Sequence, residues 1–204
     1  MRMIHSVAIL ALLTVSAIFA PAAAHADTIT FGSGINTVSY SNTSGSGTVV
    51  VYTGTNPYSI ANYVAPVSGT AYITYDNSTE FLPAGVTTYS MSLTGPAGAA
   101  GSIAFAADNS VVVFLNGTEI GASDTFNALT DADFTLGSGS NTLTFVVTND
   151  PTTPDLANPT ALDFGGSVTF TPPPSTVPEP SSIALLGTGL LSIAGLTRRK
   201  SFRS

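Results

Sequence analysis

The sequence predicts an all-β protein: a single β-sandwich of jelly-roll type, flanked by an N-terminal signal helix and a short C-terminal apolar helix. Three observations predict it. Between Asp27 and Thr171 apolar residues tend to recur at every second position, and no long helical period appears. Short runs rich in Val, Ile, Thr, Tyr and Phe are separated by Gly, Pro, Asn and Ser at the spacing of sandwich strands, with a barrel as the alternative closure. The two ends are different in kind, each with an apolar run, and they hold every basic residue of the chain: Arg2, Arg198, Arg199, Lys200 and Arg203.

The first element is residues 1–26. Arg2 supplies a positive start, Val7 to Phe19 an apolar run, and Ala24-His25-Ala26 the small-x-small pattern that a signal peptidase accepts. Cleavage is expected after Ala26, leaving Asp27 at the mature N-terminus. An uncleaved anchor is the alternative, but the run is shorter than the ~20 residues a membrane span needs.

The strands follow. Expected strands are Asn36 to Tyr40, Gly47 to Thr53, Ala71 to Tyr75, Thr87 to Leu93, Ser102 to Ala107, Thr142 to Thr148 and Leu162 to Phe170. Alternation is clearest in Thr142 to Thr148, where Leu143, Phe145 and Val147 face one way and the threonines the other. Val111 to Leu115 is apolar at every position, which predicts a central strand covered on both faces. Asn116-Gly117 predicts a type I′ hairpin returning through Thr118-Glu119-Ile120. Gly165-Gly166 predicts a bulge or corner within the last strand.

The run from Ala107 to Gly121, followed by Phe134 to Asn149, is similar to the core of galactose-binding-like jelly rolls found as accessory domains of glycosidases. Asp108-Asn109 stands for the acidic-Asn turn of those domains, Asn116-Gly117 for the end of the buried strand, and Asn149 for the end of the long one. The resemblance implies a carbohydrate-binding fold and makes Asp108, Asn109, Asn116 and Asn149 candidate ligand-binding residues. The chain departs from the pattern in having no Trp, and no Arg in this region, to make sugar contacts.

Residues 172–182 form a proline-rich linker carrying Val177-Pro178-Glu179-Pro180. Residues 183–204 add an apolar stretch, Ile183 to Thr197, and the basic cluster Arg198-Arg199-Lys200. In order and spacing these three parts resemble the PEP-CTERM sorting signal of exported bacterial proteins. That resemblance implies recognition by an exosortase, removal of the tail, and delivery to the cell surface or an extracellular matrix. Physical chemistry agrees: a helix over Ile183 to Thr197 is about 22 Å long, short of the ~30 Å hydrocarbon core, so it anchors only marginally. The basic residues after it place the tail in the cytoplasm and the body across the inner membrane. A buried helix of the globular domain is the alternative, but the stretch lacks a polar face.

Charge and chemistry narrow the function. All 12 acidic residues lie between Asp27 and Pro180, where there is no Lys, Arg or Cys and no His once the signal is removed. Nucleic acid is excluded as a partner, because phosphate neutralisation needs basic residues. The neutral-pH general base, thiolate nucleophile and Schiff-base amine are missing too, so no catalytic residue, cofactor or metal site is assigned. Asp131 and Asp133, near Asp124, have calcium-ligand chemistry but no Gly-containing calcium loop, and read as solvated surface. The seven tyrosines (Tyr40, Tyr52, Tyr58, Tyr63, Tyr72, Tyr75, Tyr89) have the chemistry for sugar stacking, but ordinary strand composition is the favoured reading, since Tyr is a common strand former.

The expectation is a non-catalytic exported surface or matrix protein, processed by signal peptidase and exosortase. It would associate transiently with the membrane and with exopolysaccharide, neutral glycans being favoured because the acidic body repels anionic ones unless cations bridge them. The alternatives are a self-associating coat protein and a carboxylate-dependent glycosidase, the latter requiring two acids facing each other across a cleft.

Overall fold

In the computed structural model the described residues are 25–52, 62–79, 81–152, 157–172, 186–191 and 193. The chain divides into two units, His25–Thr171 and the terminal segments Met1–Ala24 with Pro172–Ser204. Ala24 and the expected signal helix, Tyr58, Val177-Pro178-Glu179-Pro180 and Arg198-Arg199-Lys200 lie outside the described residues. Within the terminal unit, residues 186–191 and 193 are helical, and Leu190, Leu191 and Ile193 are exposed. No helix among the described residues is long and apolar enough to cross a membrane.

The body is a β-sandwich of jelly-roll type whose strands all pair antiparallel. In chain order the strands are β1 (Asp27–Gly32), β2 (Ser39–Asn42), β3 (Gly45–Thr48), β4 (Val50–Val51), β5 (Ile73–Thr74), β6 (Gly85–Thr94), β7 (Ala100–Asp108), β8 (Ser110–Leu115), β9 (Thr118–Ser123), β10 (Thr130–Thr135), β11 (Ser140–Asn149) and β12 (Ala161–Phe170). One sheet runs β10-β7-β12, with β1 on the far edge of β12 along Gly165–Phe170 and the β5-β4 pair on the same edge at Leu162. The other runs β3-β2-β6-β11-β8-β9.

The inner faces interdigitate because their sequences alternate. Leu143, Phe145 and Val147 of β11 are buried while Thr142, Thr144, Val146 and Thr148 face outward. Across the interface Phe145 stacks on Phe164 of β12, ring centroids 4.3 Å apart and planes at 27°. Tyr89, Met91, Phe105 and Val113 complete a core with no charged member. The β8–β9 hairpin turns as expected through Asn116 (φ 52°) and Gly117 (φ 81°), a conformation that asparagine and glycine tolerate best.

Several expectations are corrected. Gly47 to Thr53 is not one strand: β3 and β4 belong to different sheets, so the chain crosses the sandwich at Val49. Strands β1 and β10 are additional to the expected ones. The run Val111 to Leu115 lies between β11 and the edge strand β9 and is covered on one face only; Val112 and Phe114 sit half-buried among outward neighbours, because a two-layer sandwich has a single interior. Gly165-Gly166 forms no bulge and pairs regularly with Ala104 and Ile103. These glycines answer to close approach: a Cβ on Gly166 would meet the Ser102 carbonyl and the Phe31 ring, and one on Gly165 would meet Val67 and Thr70. The bulge lies instead in the β8–β9 ladder, between Val113 and Phe114.

The outer face of the β10-β7-β12 sheet is partly covered by residues 62–72, and a buried carboxylate fastens that cover. Asp163 is 0% exposed, with no basic residue in the body to pair with it. Its Oδ1 accepts hydrogen bonds from Ser33 Oγ at 2.8 Å and Thr70 Oγ1 at 2.6 Å, and its Oδ2 accepts one from the Val67 amide at 2.8 Å. Substituting Asp163→Asn sets an amide donor against either the Val67 N–H or the two hydroxyls, and should destabilise the protein by about 3 kcal/mol. Urea unfolding of the full-length chain checks this, and an unchanged midpoint would refute the role.

Candidate functional site

Only one cleft among those described has a buried carboxylate in its wall. It lies where β7 hands over to β8 and β11 ends, has a volume of about 280 Å³, and is lined by Asn62, Tyr63, Asp108, Asn109, Phe126 and Asp150, with residues 157–159 closing one side. Three other grooves are larger, about 400, 550 and 520 Å³. Their surfaces are mainly Ser, Thr, Ala and Gly, and the acids that reach them, Asp131 and Asp133, are exposed on β10.

Asp108 is the last residue of β7, paired with Ala161 of β12, and is 6% exposed. The Thr160 hydroxyl donates to its backbone carbonyl at 2.8 Å, fixing the strand end. On the outer face of the sheet the Tyr63 hydroxyl donates to Asp108 Oδ2 at 2.7 Å. Oδ1 makes no hydrogen bond among the described residues and is not enclosed, so it is open to the cleft that Asp108 lines.

Tyr63 is held in an aromatic group that tops the covering segment. Its ring lies 5.0 Å from that of Tyr72, 5.1 Å from Phe126 and 6.4 Å from Tyr52. The backbone fixes the same arrangement: the Val64 amide donates to the Phe126 carbonyl at 2.7 Å, and the Tyr72 hydroxyl to the Val64 carbonyl at 3.1 Å. Burial, then the neighbouring Asp108, push the Tyr63 hydroxyl far above its ordinary pKa, so it remains a donor at any working pH. Burial also raises the Asp108 carboxyl; the Tyr63 hydrogen bond opposes this, and the Asp150 charge reinforces it.

Of the residues singled out from the sequence, Asp108 and Asn109 line the cleft. The Asn109 amide donates to the Thr148 carbonyl at 2.9 Å, and its Oδ1 accepts from the Asp150 amide at 2.7 Å, so this side chain shapes the wall. Asn149 turns inward, is buried, and donates through Nδ2 to the Pro83 carbonyl. Asn116 is at the opposite end of β8. Its Nδ2 bonds Asn141 Oδ1 and its Oδ1 accepts the Thr142 amide, tying the hairpin to β11.

Ala26 and Asp27 are exposed at the start of the body. Asp124, Asp131 and Asp133 are exposed, and no group of three or more potential metal ligands occurs among the described residues. Tyr89 is in the core, and Tyr40 packs against Tyr75 at 5.6 Å. Tyr63, Phe126, Asp150 and Asn158 were not singled out as a group. Tyr63 stands in the sequence only as one of seven tyrosines, and Asp150 only as the residue after Asn149.

Comparison with known proteins adds the following. No curated protein matches the chain. Among solved structures it is similar to an FMN-binding beta-glucuronidase from Facaelibacterium prausnitzii L2-6 (18% identity, TM-score 0.41, 71% of this chain and 23% of that one). It is also similar to CBM35 from Paenibacillus barcinonensis (13%, 0.37, 71% and 99%) and to a GH2 beta-galacturonidase from Eisenbergiella tayi (10%, 0.37, 70% and 25%). The chain thus spans about a quarter of the length of each of the two enzymes. Residues 176–200 match the PEP-CTERM protein-sorting motif, which marks the chain as an exported protein and implies processing by an exosortase.

Proposed function

We propose that the protein is a non-catalytic, exported cell-surface or matrix protein whose body binds carbohydrate in the cleft around Asp108. The observation that carries the binding reading is the juxtaposition of two aromatic rings, Tyr63 and Phe126, with an open carboxylate oxygen on Asp108. Aromatic faces stack on the apolar faces of sugar rings, and a carboxylate accepts hydrogen bonds from their hydroxyls. The observation that carries the delivery reading is the sorting motif. In this reading the N-terminal signal exports the chain, the apolar segment after Ser182 holds it briefly in the inner membrane, and the exosortase releases or transfers the body to the surface and its polysaccharide.

Asp150 favours a second reading. It shares the cleft with Asp108, whose carboxyl is raised by burial, and two carboxyl groups in one cleft are what a glycosidase needs. Against it, a cleft of about 280 Å³ is small for a polysaccharide spanning a cleavage point.

Mass spectrometry of the protein recovered from the cell surface or medium should find Asp27 at the N-terminus and Arg198 to Ser204 gone; an intact tail would refute processing. Calorimetric titration of the full-length chain with oligosaccharides should give binding that falls at least tenfold in Tyr63→Ala and Phe126→Ala, and is unaffected by Thr142→Ala on the other sheet. Reducing ends should not accumulate during incubation with those oligosaccharides. Their accumulation, abolished by Asp108→Asn, would establish the glycosidase reading instead.

A further inference from the structure

We infer that the sugar taken by the Asp108 cleft is a protonated amino sugar, the de-N-acetylated hexosamine unit of a cationic polysaccharide, with its ammonium between the Asp108 carboxylate and the Tyr63 and Phe126 rings. The inference rests on the carbohydrate-binding reading above and narrows it to one chemistry.

The first argument is charge balance. The cleft holds two carboxylates, Asp108 and Asp150, and the body between Asp27 and Pro180 has no Lys or Arg to neutralise either. Asp163, the other deeply buried acid, has hydrogen-bond donors on both oxygens; Asp108 has one donor, Tyr63, on one oxygen. An acid left in that condition beside a cleft is best satisfied by a ligand that brings a positive charge. A uronic acid would add a third negative charge. A neutral hydroxyl would occupy Oδ1 and leave the charge uncompensated.

The second argument is the rings. Tyr63 and Phe126, with centroids 5.1 Å apart and planes at 51°, form two walls of the same cleft, and an ammonium within about 6 Å of such faces gains cation–π attraction that grows as the site is desolvated. A third argument concerns what is left over at the amides. Asn109 uses its Oδ1 on the Asp150 amide, and Asn158 uses its Nδ2 on the Leu82 and Asp150 carbonyls. Asn109 Nδ2 and Asn158 Oδ1, without a hydrogen bond among the described residues, remain for ring hydroxyls. The volume, just below the usual range of ~300 to 1,000 Å³ for ligand clefts, suits a single sugar unit of a chain that continues into solvent.

The pH dependence has a definite sign. The titratable groups facing Asp108 are Tyr63, Tyr72 and Asp150; both tyrosines are pushed up by burial and stay neutral. Binding should therefore fall on the acid side as the Asp108 carboxylate is protonated, at a pH above the ordinary Asp value of ~3.9, and on the alkaline side as the sugar amine loses its proton.

The test is calorimetric titration of the full-length chain at pH 6 with β-1,4-linked tetramers of glucosamine, N-acetylglucosamine and glucose. The glucosamine tetramer should bind at least tenfold tighter than the other two. Asp108→Asn should abolish the preference, exposed Asp150→Asn should reduce it about threefold, and Tyr63→Phe, which keeps the ring, should retain most of it. Melting temperatures establish that each variant is folded. Equal affinity for all three tetramers, or preference for the acetylated or neutral one, would overturn the inference and leave carbohydrate binding standing. Binding of none of them would overturn both.

Discussion

A carboxylate with no counter-ion among the described residues organises the end of the sandwich where the Asp108 cleft lies. Asp163 sits on the outer face of β12, fully buried, and collects Ser33, Val67 and Thr70 around it. Removing a charge from water is costly, and a lone buried carboxylate persists only if its oxygens are saturated with donors. That requirement draws residues 62–72 down onto the sheet. Ser33, which also accepts the Phe164 amide at 3.2 Å, binds the end of β1 to the same point. Once Val67 and Thr70 are fixed, Gly165 must be glycine, because any Cβ there would collide with both. The same segment then delivers Tyr63 to Asp108. The cleft is a consequence of the cover, and the cover is held by Asp163.

The absence of basic residues explains why the two buried acids differ. In most proteins an Arg or Lys would neutralise such groups; here the available donors are hydroxyls and backbone amides. Asp163 is met by three of them. Asp108 lies two residues farther along the same outer face, beside Asp163's neighbour Ala161, and is met by one, so its carboxyl is raised by burial. The contrast separates a structural acid from one with unused capacity. Stability is served by satisfying every donor and acceptor, so a carboxylate left half-satisfied at the wall of a cleft points toward binding.

How much of this was legible in the sequence depends on the range of the interaction. The strand β11 and the β8–β9 hairpin were readable because their information is local: a period of two in Leu143, Phe145 and Val147, and positive φ at Asn116-Gly117. Strand β10 was not, because in Thr130-Asp131-Ala132-Asp133-Phe134 the inward residues are one Ala and one Phe, too little apolar signal to outweigh two aspartates. Strand β1 was hidden by adjacency to the expected cleavage site, although Ile29 and Phe31 alternate with threonines. The cleft was legible only in part. The Asp108-Asn109 turn stood out, but Tyr63 and Phe126 come from segments 45 residues before it and well after it, and the contact that joins Tyr63 to Asp108 is a property of the cover. Asn116 and Asn149 stood out for the same reason as Asn109, as asparagines at strand ends, and the structure spends their side chains on backbone and neighbouring amides.

Charge ties the two ends of the chain to its middle. The basic residues lie only in the terminal segments, so the body from Asp27 to Thr171 carries acids and no Lys or Arg. Considered from composition alone, such a body repels anionic polymers and is indifferent to neutral ones. The cleft alters that conclusion. A surface field that is negative throughout concentrates cations near it, and among the described residues the buried carboxylate that lines a cleft shares it with Tyr63 and Phe126. Long-range attraction and local recognition then favour the same sign of ligand. Under the reading proposed above, a single-sign body whose cleft holds an open carboxylate discriminates among sugars by the state of their nitrogen, a distinction that neutral hydroxyl recognition does not make.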